Sequence, residues 1–250
     1  MVIAVSGKGG TGKTTLAALI VRHCIKYMGT PVLAVDADPN STLADKLGLQ
    51  CDCTIGGLRE DALKHKHDAS PGAPKQVGIQ YEVQNAIAEG SGFDLVVMGR
   101  GEGPGCYCSV NNMLRAFLHD VSSGYKHTVI DNEAGMEHLS RRTDDKVDLM
   151  FVVSDATPTG LKSALRIAEL AAELGVVQGR MGLIVNRVTD FELARQNTAS
   201  FTGLELLGCI PEDPLVLEYE MQCRPVIALP DESKAAAAIS GVFASTSIGI

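Results

Sequence analysis

The residues most able to do chemistry lie in the stretch GKGGTGKTT, residues 7 to 15. It satisfies the pattern GxxxxGK[ST], follows an apolar run and precedes a helical pattern. In such loops the glycines let backbone N–H groups turn inward around an anion. Lys13 would place a cation against terminal phosphates, and the Thr14 hydroxyl could ligate Mg²⁺. The residues predicted to bind a nucleotide here are Gly9, Gly10, Thr11, Gly12, Lys13, Thr14 and Thr15.

Three aspartates end apolar runs that are typical of buried strands. Asp131 ends HTVID, whereas Asp36 and Asp38 end VLAVDAD. Ligands bind at the carboxyl ends of strands in parallel sheets, and an aspartate there commonly holds magnesium-bound water. Asp38 has an alternative role as the N-terminal carboxylate of the following helix, although Asn40 or Ser41 could also cap that helix.

Two cysteines, Cys106 and Cys108, close the glycine-rich stretch GRGEGPGCYC. Two thiolates spaced in this way supply half of a four-coordinate site, and a two-fold dimer would complete it as Cys₄. Thiolate sulfur suits Ni²⁺, Zn²⁺, Cu(I) and iron–sulfur clusters, so the ligand type alone does not choose the metal. The alternative is a pair of buried structural thiols, for which a glycine-rich turn offers little core.

A second C-x-C pair, Cys51 and Cys53, precedes the two histidines His65 and His67. These four residues could form an accessory metal site, or simply belong to a solvated excursion between residues 50 and 80, where Gly, Pro, Lys and His cluster. The remaining cysteines are predicted to lie in a helix, a strand and a loop, in the order Cys24, Cys209, Cys223.

Apolar runs alternate with helical patterns along the chain. The predicted strands are VIAV (2–5), VLAVDAD (32–38), DLVVMG (94–99), HTVID (127–131), LMFVVSD (149–155), MGLIVN (181–186) and LELLGCI (204–210). The predicted helices are 13–28, 41–48, 110–121, 159–175 and 232–245. Continuous apolar strands separated by helices indicate an α/β fold, a doubly wound, mainly parallel sheet with helices on both faces. We expect a single domain over residues 1–250.

Composition argues against several classes of partner. The 250 residues are 45% hydrophobic and 4% aromatic, with a formal net charge of −8. Scattered lysines and arginines form no basic face for a phosphate backbone or anionic lipid, so we expect no nucleic-acid and no membrane partner. Residues 1–6, MVIAVS, lack the charged region and cleavage site of a signal peptide, and no apolar run reaches the ~18–20 residues that span a bilayer. We therefore expect a soluble cytoplasmic protein with reduced thiols.

Lys8 is unusual, because Lys13 already serves the nucleotide of the same loop. The segment GKGGTGKT resembles the deviant Walker A loop of the Min/Par and nitrogenase iron protein branch of P-loop ATPases. The segments VDADPNSTLADKLGL, GRGEGPGCYC, VIDNEAGMEHLSRR and CIPEDPLVLEYE are similar to the CooC-type nickel-insertion ATPases that mature carbon monoxide dehydrogenase, and to their relatives serving acetyl-CoA synthase. The resemblance implies that Lys8 reaches across a face-to-face homodimer to the partner's nucleotide.

The resemblance also implies roles for the aspartates. Asp38 would position or activate the attacking water, and Asp36 and Asp131 would hold Mg²⁺ through water beside Thr14. Independently of the resemblance, residues 36–43 and 131–140 leave the ends of two strands as switch segments do, which the terminal phosphate would order and hydrolysis would release. The implied catalytic residues are Lys8, Lys13 and Asp38.

The adenine site is implied by two further segments. Asn186 and Arg187 match the position that recognises the base, and Pro211, Glu212 and Asp213 match the loop packed on its other side. Considered without the resemblance, Asn186 could equally be a cap at the end of its strand.

These features together predict an ATP-driven metallochaperone. A homodimer that hydrolyses ATP would hold nickel, or zinc after purification, between the two C-x-C pairs and support insertion into carbon monoxide dehydrogenase or acetyl-CoA synthase. A spatial-organising ATPase of the Min/Par kind is one alternative, although the C-terminal stretch SKAAAAISGVFASTSIGI has a weak apolar face. An iron–sulfur electron-transfer ATPase is another, although the segment after Asp131 offers His138 instead of a cysteine.

Overall fold

One eight-stranded sheet organises the part of the chain that the computed structural model describes, residues 1–58, 86–99, 121–132 and 147–246. Its strands are β1 (Val2–Gly7), β2 (Val32–Ala37), β3 (Ile87–Glu89), β4 (Phe93–Val97), β5 (His127–Asn132), β6 (Val147–Ser154), β7 (Val177–Val188) and β8 (Leu206–Pro211). Their order across the sheet is β3-β4-β2-β5-β1-β6-β7-β8. Every neighbouring pair is parallel except β3 with β4. The predicted mainly parallel sheet is confirmed.

The described helices follow the strands. They are α1 (Lys13–His23), continued by a π-helical turn (Cys24–Met28), α2 (Leu43–Leu47), α3 (Pro158–Leu174), α4 (Phe191–Phe201), α5 (Pro214–Met221) and α6 (Lys234–Thr246). Short 3₁₀ turns occur at Ser122–Gly124 and Val226–Ala228. Four predicted helices are confirmed within a few residues, and the fifth, 110–121, lies outside the described residues except for Val121. Helices α4 and α5 and the short strand β3 were not predicted.

The core consists of two apolar layers, one on each face of the sheet. One layer joins α1 and α6 to the sheet, with Phe151 and Phe243 in edge-to-face contact. The other places α3 and α4 against the opposite face, where Leu161 and Ala194 are fully buried. Because apolar residues occupy successive strand positions, both faces of the central strands exclude water and each needs a helical cover. The predicted helices on both faces are confirmed.

Strand β1 delivers the glycine-rich loop to the centre of the sheet, between β5 and β6. Its last residue, Gly7, lies so close to β6 that a Cβ atom there would stand 2.3 Å from the carbonyl oxygen of Val153. The loop therefore begins where the chain can pass only without a side chain. In the described part of the chain, no helix has the length and apolar character needed to cross a membrane.

Candidate functional site

The loop between β1 and α1 is folded around one carbonyl oxygen. The Thr11 amide and hydroxyl donate to the Lys8 carbonyl at 3.4 and 2.8 Å, and the Lys13 ammonium lies 3.4 Å from the same oxygen. Gly10 and Gly12 have left-handed φ angles of 82° and 86°, which glycine adopts without strain. Gly12 is the N-cap residue of α1 and has no side chain to cap it, so the first-turn N–H groups of the helix remain available to an anion.

The end of β7 braces this loop. The Asn186 side chain donates its Nδ2 to the Thr11 carbonyl at 2.8 Å, and the Arg187 guanidinium donates to the Gly10 carbonyl at 3.3 Å. A Cβ atom at Gly12 would lie 2.4 Å from the Asn186 amide nitrogen. Asn186 lies within β7 and bonds the loop, so the strand-ending cap considered for it is wrong.

Two buried aspartates occupy neighbouring positions at the carboxyl edge of the sheet. Asp36 and Asp131 are paired in register on β2 and β5, and both are fully buried. The Asp36 carboxylate accepts from the amides of Asp38 at 3.1 Å and Leu43 at 2.8 Å. Neither oxygen of Asp131 meets a hydrogen-bond partner at standard geometry in the described chain. Asp131 is therefore the buried polar group at this edge that most needs a ligand.

The electrostatics of the pair favour a cation. Burial raises the pKa of Asp36 to about 6, against hydrogen bonds that lower it. Burial also raises the pKa of Asp131 to about 7, reinforced by the charge of Asp36 and opposed by the Thr14 hydroxyl and the Lys13 ammonium. Two carboxylates and a threonine hydroxyl are hard oxygen ligands, and Mg²⁺ prefers such ligands while keeping several waters. The residues present therefore fit a hydrated magnesium ion.

Asp38 lies in the loop between β2 and α2, at the same edge of the sheet as this pair. The Asp38 carboxylate accepts from the Asn40 backbone amide at 2.8 Å and side-chain amide at 2.9 Å. The first amide of α2 is bonded by Asp36 rather than by the residues considered as caps, and α2 has no side-chain cap from its own N-cap residue, Thr42. The alternative role of Asp38 as the cap of this helix is therefore not observed, and Asp36 instead ties the sheet edge to the start of α2.

Two cavities open on this edge. The first, here called the loop cleft, has a volume of about 820 Å³ and is lined by the glycine-rich loop, Asp38, α2 and the residues after α5. The second, here called the α5 cavity, has a volume of about 370 Å³ and lies between α1, the ends of β7 and β8, and α5. Three residues line both of them: Thr15, Arg187 and Glu220.

The predicted adenine residues border the α5 cavity. Asn186, Arg187, Pro211, Glu212 and Asp213 all line it, together with apolar side chains of α1 and α5. The Asp213 carboxylate is already engaged, because it accepts from the amides of Leu215 and Ala235 at 3.0 Å each and from the Ser233 hydroxyl at 2.7 Å. Asp213 therefore joins the starts of α5 and α6, a role that the sequence did not indicate.

Sequence reasoning also missed Glu220 on α5. Its carboxylate accepts from the hydroxyl of Thr15 at 2.9 Å and the ammonium of Lys46 at 2.7 Å. The Thr15 hydroxyl, in the predicted phosphate loop, is thus directed to α5. Asp213 followed by Pro214 is a usual start signal for a helix and could have revealed α5.

The predicted metal-binding cysteines, Cys106 and Cys108, lie outside the described residues, as do His65, His67 and His138. In the second pair, the Cys51 thiol donates to the Cys53 carbonyl at 3.1 Å. Across the ranges that the structure describes, no group of three or more His, Cys, Asp or Glu side chains could hold a metal ion. The predicted helix, strand and loop positions are confirmed for Cys24, Cys209 and Cys223.

A strand, a glycine-rich loop and a helix at the carboxyl edge of a parallel sheet, beside two buried aspartates, define a P-loop nucleotide-hydrolysing fold. Residues 2–226 match the CobQ/CobB/MinD/ParA nucleotide binding domain. The chain belongs to this family and is an ATPase of it.

Relatives agree over nearly the whole chain. An uncharacterised ATP-binding protein of Methanocaldococcus jannaschii is 40% identical over 237 residues, covering 94% of this chain and 93% of the relative. The carbon monoxide dehydrogenase accessory protein CooC of Rhodospirillum rubrum is 29% identical over 238 residues, covering 86% of this chain and 85% of the relative. The predicted membership of the Min/Par group of P-loop ATPases is confirmed.

Solved structures share the fold. The septum site-determining protein MinD of Pyrococcus horikoshii, complexed with Mg-ADP, has a TM-score of 0.66 at 22% identity and covers 96% of this chain and 93% of its own. A ParA family ATPase of Chlorobium tepidum has a TM-score of 0.72 at 18% identity, with 98% of both chains covered. At this level of identity the likeness supports the fold alone.

Proposed function

We propose that this protein is an ATP-dependent metallochaperone that supports nickel insertion into carbon monoxide dehydrogenase or acetyl-CoA synthase. The observation that carries the proposal is the 29% identity to CooC over 86% of this chain. The residues of the loop cleft supply the chemistry for ATP hydrolysis, and the C-x-C pair at Cys106 and Cys108 supplies soft ligands for the metal that is delivered.

In this proposal, α1, Asp38 and the magnesium ligands act together on the phosphates and the attacking water. First-turn N–H groups of α1 surround the anion, and Lys13, which is 93% buried, places its charge against the terminal phosphates. Asp38 orients the attacking water from the rim of the loop cleft. A magnesium ion held through water by Thr14, Asp36 and Asp131 would neutralise charge on the phosphates.

The base would occupy the α5 cavity. Its apolar walls suit a flat heterocycle, and the Asn186 side-chain carbonyl remains available once its Nδ2 is bonded to Thr11. Arg187 contacts the loop and borders both cavities, so it would lie between the base and the phosphates.

Nickel would be held between two subunits. Each chain would contribute Cys106 and Cys108, and the two-fold axis would bring the four thiolates together. Lys8 has an exposed side chain on the loop, which suits a contact with the partner's nucleotide. Because both contacts need the same dimer, ATP binding would alter the grip on nickel by changing the population of that dimer.

A spatial-organising function is the main competitor, since the relatives include the maintenance of carboxysome distribution protein A of Synechococcus elongatus at 26% identity. Such proteins need a surface for their cargo or membrane. In this chain the apolar face of α6 is already buried, with Ile239 and Phe243 exposed by 2% and 4%. Residues 234–246 therefore offer no free amphipathic face for a membrane surface.

Anaerobic elemental analysis tests the proposal. The double variant Cys106→Ser, Cys108→Ser should lose the binding of about one nickel ion per dimer, as two ligand pairs imply, while ADP affinity is unchanged. The matched control is Cys51→Ser, Cys53→Ser, which removes the other C-x-C pair and should keep nickel binding. Unchanged nickel binding in the first variant would refute the assignment, and iron with inorganic sulfide in the wild-type protein would favour the electron-transfer alternative.

A further inference from the structure

Glu220 forms part of the wall between the two cavities. It lines both the loop cleft and the α5 cavity. Helix α2 lines the loop cleft through Asp45 and Lys46, whereas none of the residues that line the α5 cavity comes from α2. In the described chain, Glu220 is therefore positioned to transmit an effect from one cavity to the helix that borders the other.

The contacts of Glu220 join three helices. One oxygen accepts from Thr15 on α1 at 2.9 Å and from Lys46 on α2 at 2.7 Å, while Glu220 itself is on α5. The side chains of Lys46 and Glu220 are exposed by 24% and 29%. Burial would raise the pKa of Glu220, but hydrogen bonds from Lys46 and Thr15 outweigh it and lower the pKa, so the carboxylate stays charged at neutral pH.

Three of the five residues of helix α2 are buried in the core, and polar contacts act on its exposed side. It contains five residues and has no side-chain cap from its N-cap residue. Helices this short are marginal alone, so their placement depends on tertiary contacts. Its first amide is bonded by Asp36, and its C-cap, Gly48, packs against Pro225 so closely that an added Cβ would stand 3.0 Å away. Near the C-terminal end of the helix, the Lys46 ion pair links the exposed side of α2 to α5.

We propose that Glu220 is a positioning residue that couples occupation of the α5 cavity by the nucleoside to the placement of α2 and the Asp38 loop. A nucleoside in the α5 cavity restrains the Glu220 side chain, and the restrained carboxylate holds Lys46. Helix α2 then keeps Asp38 in place above the phosphates. This inference rests on the proposed role of the α5 cavity as the base site.

Adenosine is the probe that isolates this effect, because it carries no phosphate to contact α2 through the loop cleft. Hydrogen exchange of the α2 amides is measured with and without adenosine, at equal saturation established by calorimetry for each variant. We expect adenosine to slow this exchange in the wild-type chain by about fivefold or more, the lower range of allosteric couplings. The slowing should disappear in Lys46→Met and Glu220→Gln, which break the ion pair, and should be retained in Lys46→Arg, which keeps the positive charge.

Lys26→Met is the matched control. Lys26 forms an ion pair with Asp231 beyond the end of α1, and neither residue lines either cavity. This variant should retain the full effect of adenosine on α2. If adenosine slows the exchange of the α2 amides equally in Lys46→Met, the inference is overturned, and transmission of the effect through Gly48 and Pro225 is favoured. If adenosine binds to the wild type without slowing this exchange, the inference is also overturned. Absence of adenosine binding would instead reject the base site itself, and the inference with it.

Discussion

Replacing Asp213 with alanine should destabilise the nucleotide-free protein more than the loss of any single helix cap. The carboxylate accepts the first-turn amides of two helices, Leu215 on α5 and Ala235 on α6, and also the buried Ser233 hydroxyl. Each lost cap costs about 1 kcal/mol. The bond from Ser233 to a charged acceptor adds about 2 kcal/mol. We therefore expect a loss of about 4 kcal/mol in the free energy of unfolding.

Urea unfolding followed by circular dichroism measures this loss. The matched control is Asp190→Ala, which removes a single exposed cap, the bond from the Leu193 amide to Asp190 at 3.0 Å. That variant should lose only about 1 kcal/mol. Asp213→Asn should fall between the two, because its amide oxygen keeps one acceptor. Equal losses in Asp213→Ala and Asp190→Ala would refute the reasoning from the double cap.

The dependence on pH gives a second readout. Burial alone would raise the pKa of Asp213, but hydrogen bonds from Ala235, Ser233 and Leu215 outweigh it and lower the pKa. Because the native pKa lies below the unfolded value of about 3.9, the stabilisation is complete above that pH and is lost as the pH falls through the native pKa. The difference in stability between wild type and Asp213→Asn should therefore shrink in acid and remain constant near neutrality.

In a calorimetric assay, Gly12→Ala should weaken ADP binding by about tenfold or more, because the left-handed φ of Gly12 disfavours a side chain and the new Cβ would meet Asn186. The control Gly241→Ala adds its Cβ in open space on α6 and should leave ADP binding unchanged. Lys8→Ala should abolish ATP-dependent dimerisation in light scattering, and normal dimerisation would reject the trans role of that lysine. Burial and a neighbouring arginine lower the pKa of His23 to about 4, so between that value and its unfolded pKa of about 6.5 the unfolded state binds more protons. Between about pH 7 and pH 5 the wild type should lose about 2 kcal/mol relative to His23→Phe in urea unfolding, and parallel pH curves would contradict the prediction.

Sequence reasoning predicts the features that are formed by residues close together along the chain. The glycine-rich loop, the apolar runs of the central strands and the aspartates at their ends are contiguous patterns, and the structure contains each of them. Strand β3 is only three residues long and antiparallel, so its short run carried no signal. Helices α4 and α5 were missed although Asp190 and Asp213 start them as N-cap residues.

The contacts that complete the site join distant parts of the chain. Glu220 is 205 residues from Thr15 and 174 from Lys46, and no pattern in a single sequence pairs residues so far apart. Likewise, the roles of Asp36 and Asp213 as caps depend on where neighbouring helices pack. Residue types at strand ends thus indicate the kind of chemistry, whereas the partners that position them follow from tertiary packing.

Helix α5 is held differently at its two ends. Its start is fixed by the buried Asp213 carboxylate, which is 7% exposed, whereas its last turn is held by the partly exposed Glu220. Because buried charged hydrogen bonds are costly to break and partly exposed ion pairs are weak, the start of α5 is held more firmly than its last turn. A nucleoside in the α5 cavity therefore has more to restrain at the last turn, where Glu220 binds Lys46 on α2, than at the start, which Asp213 already fixes.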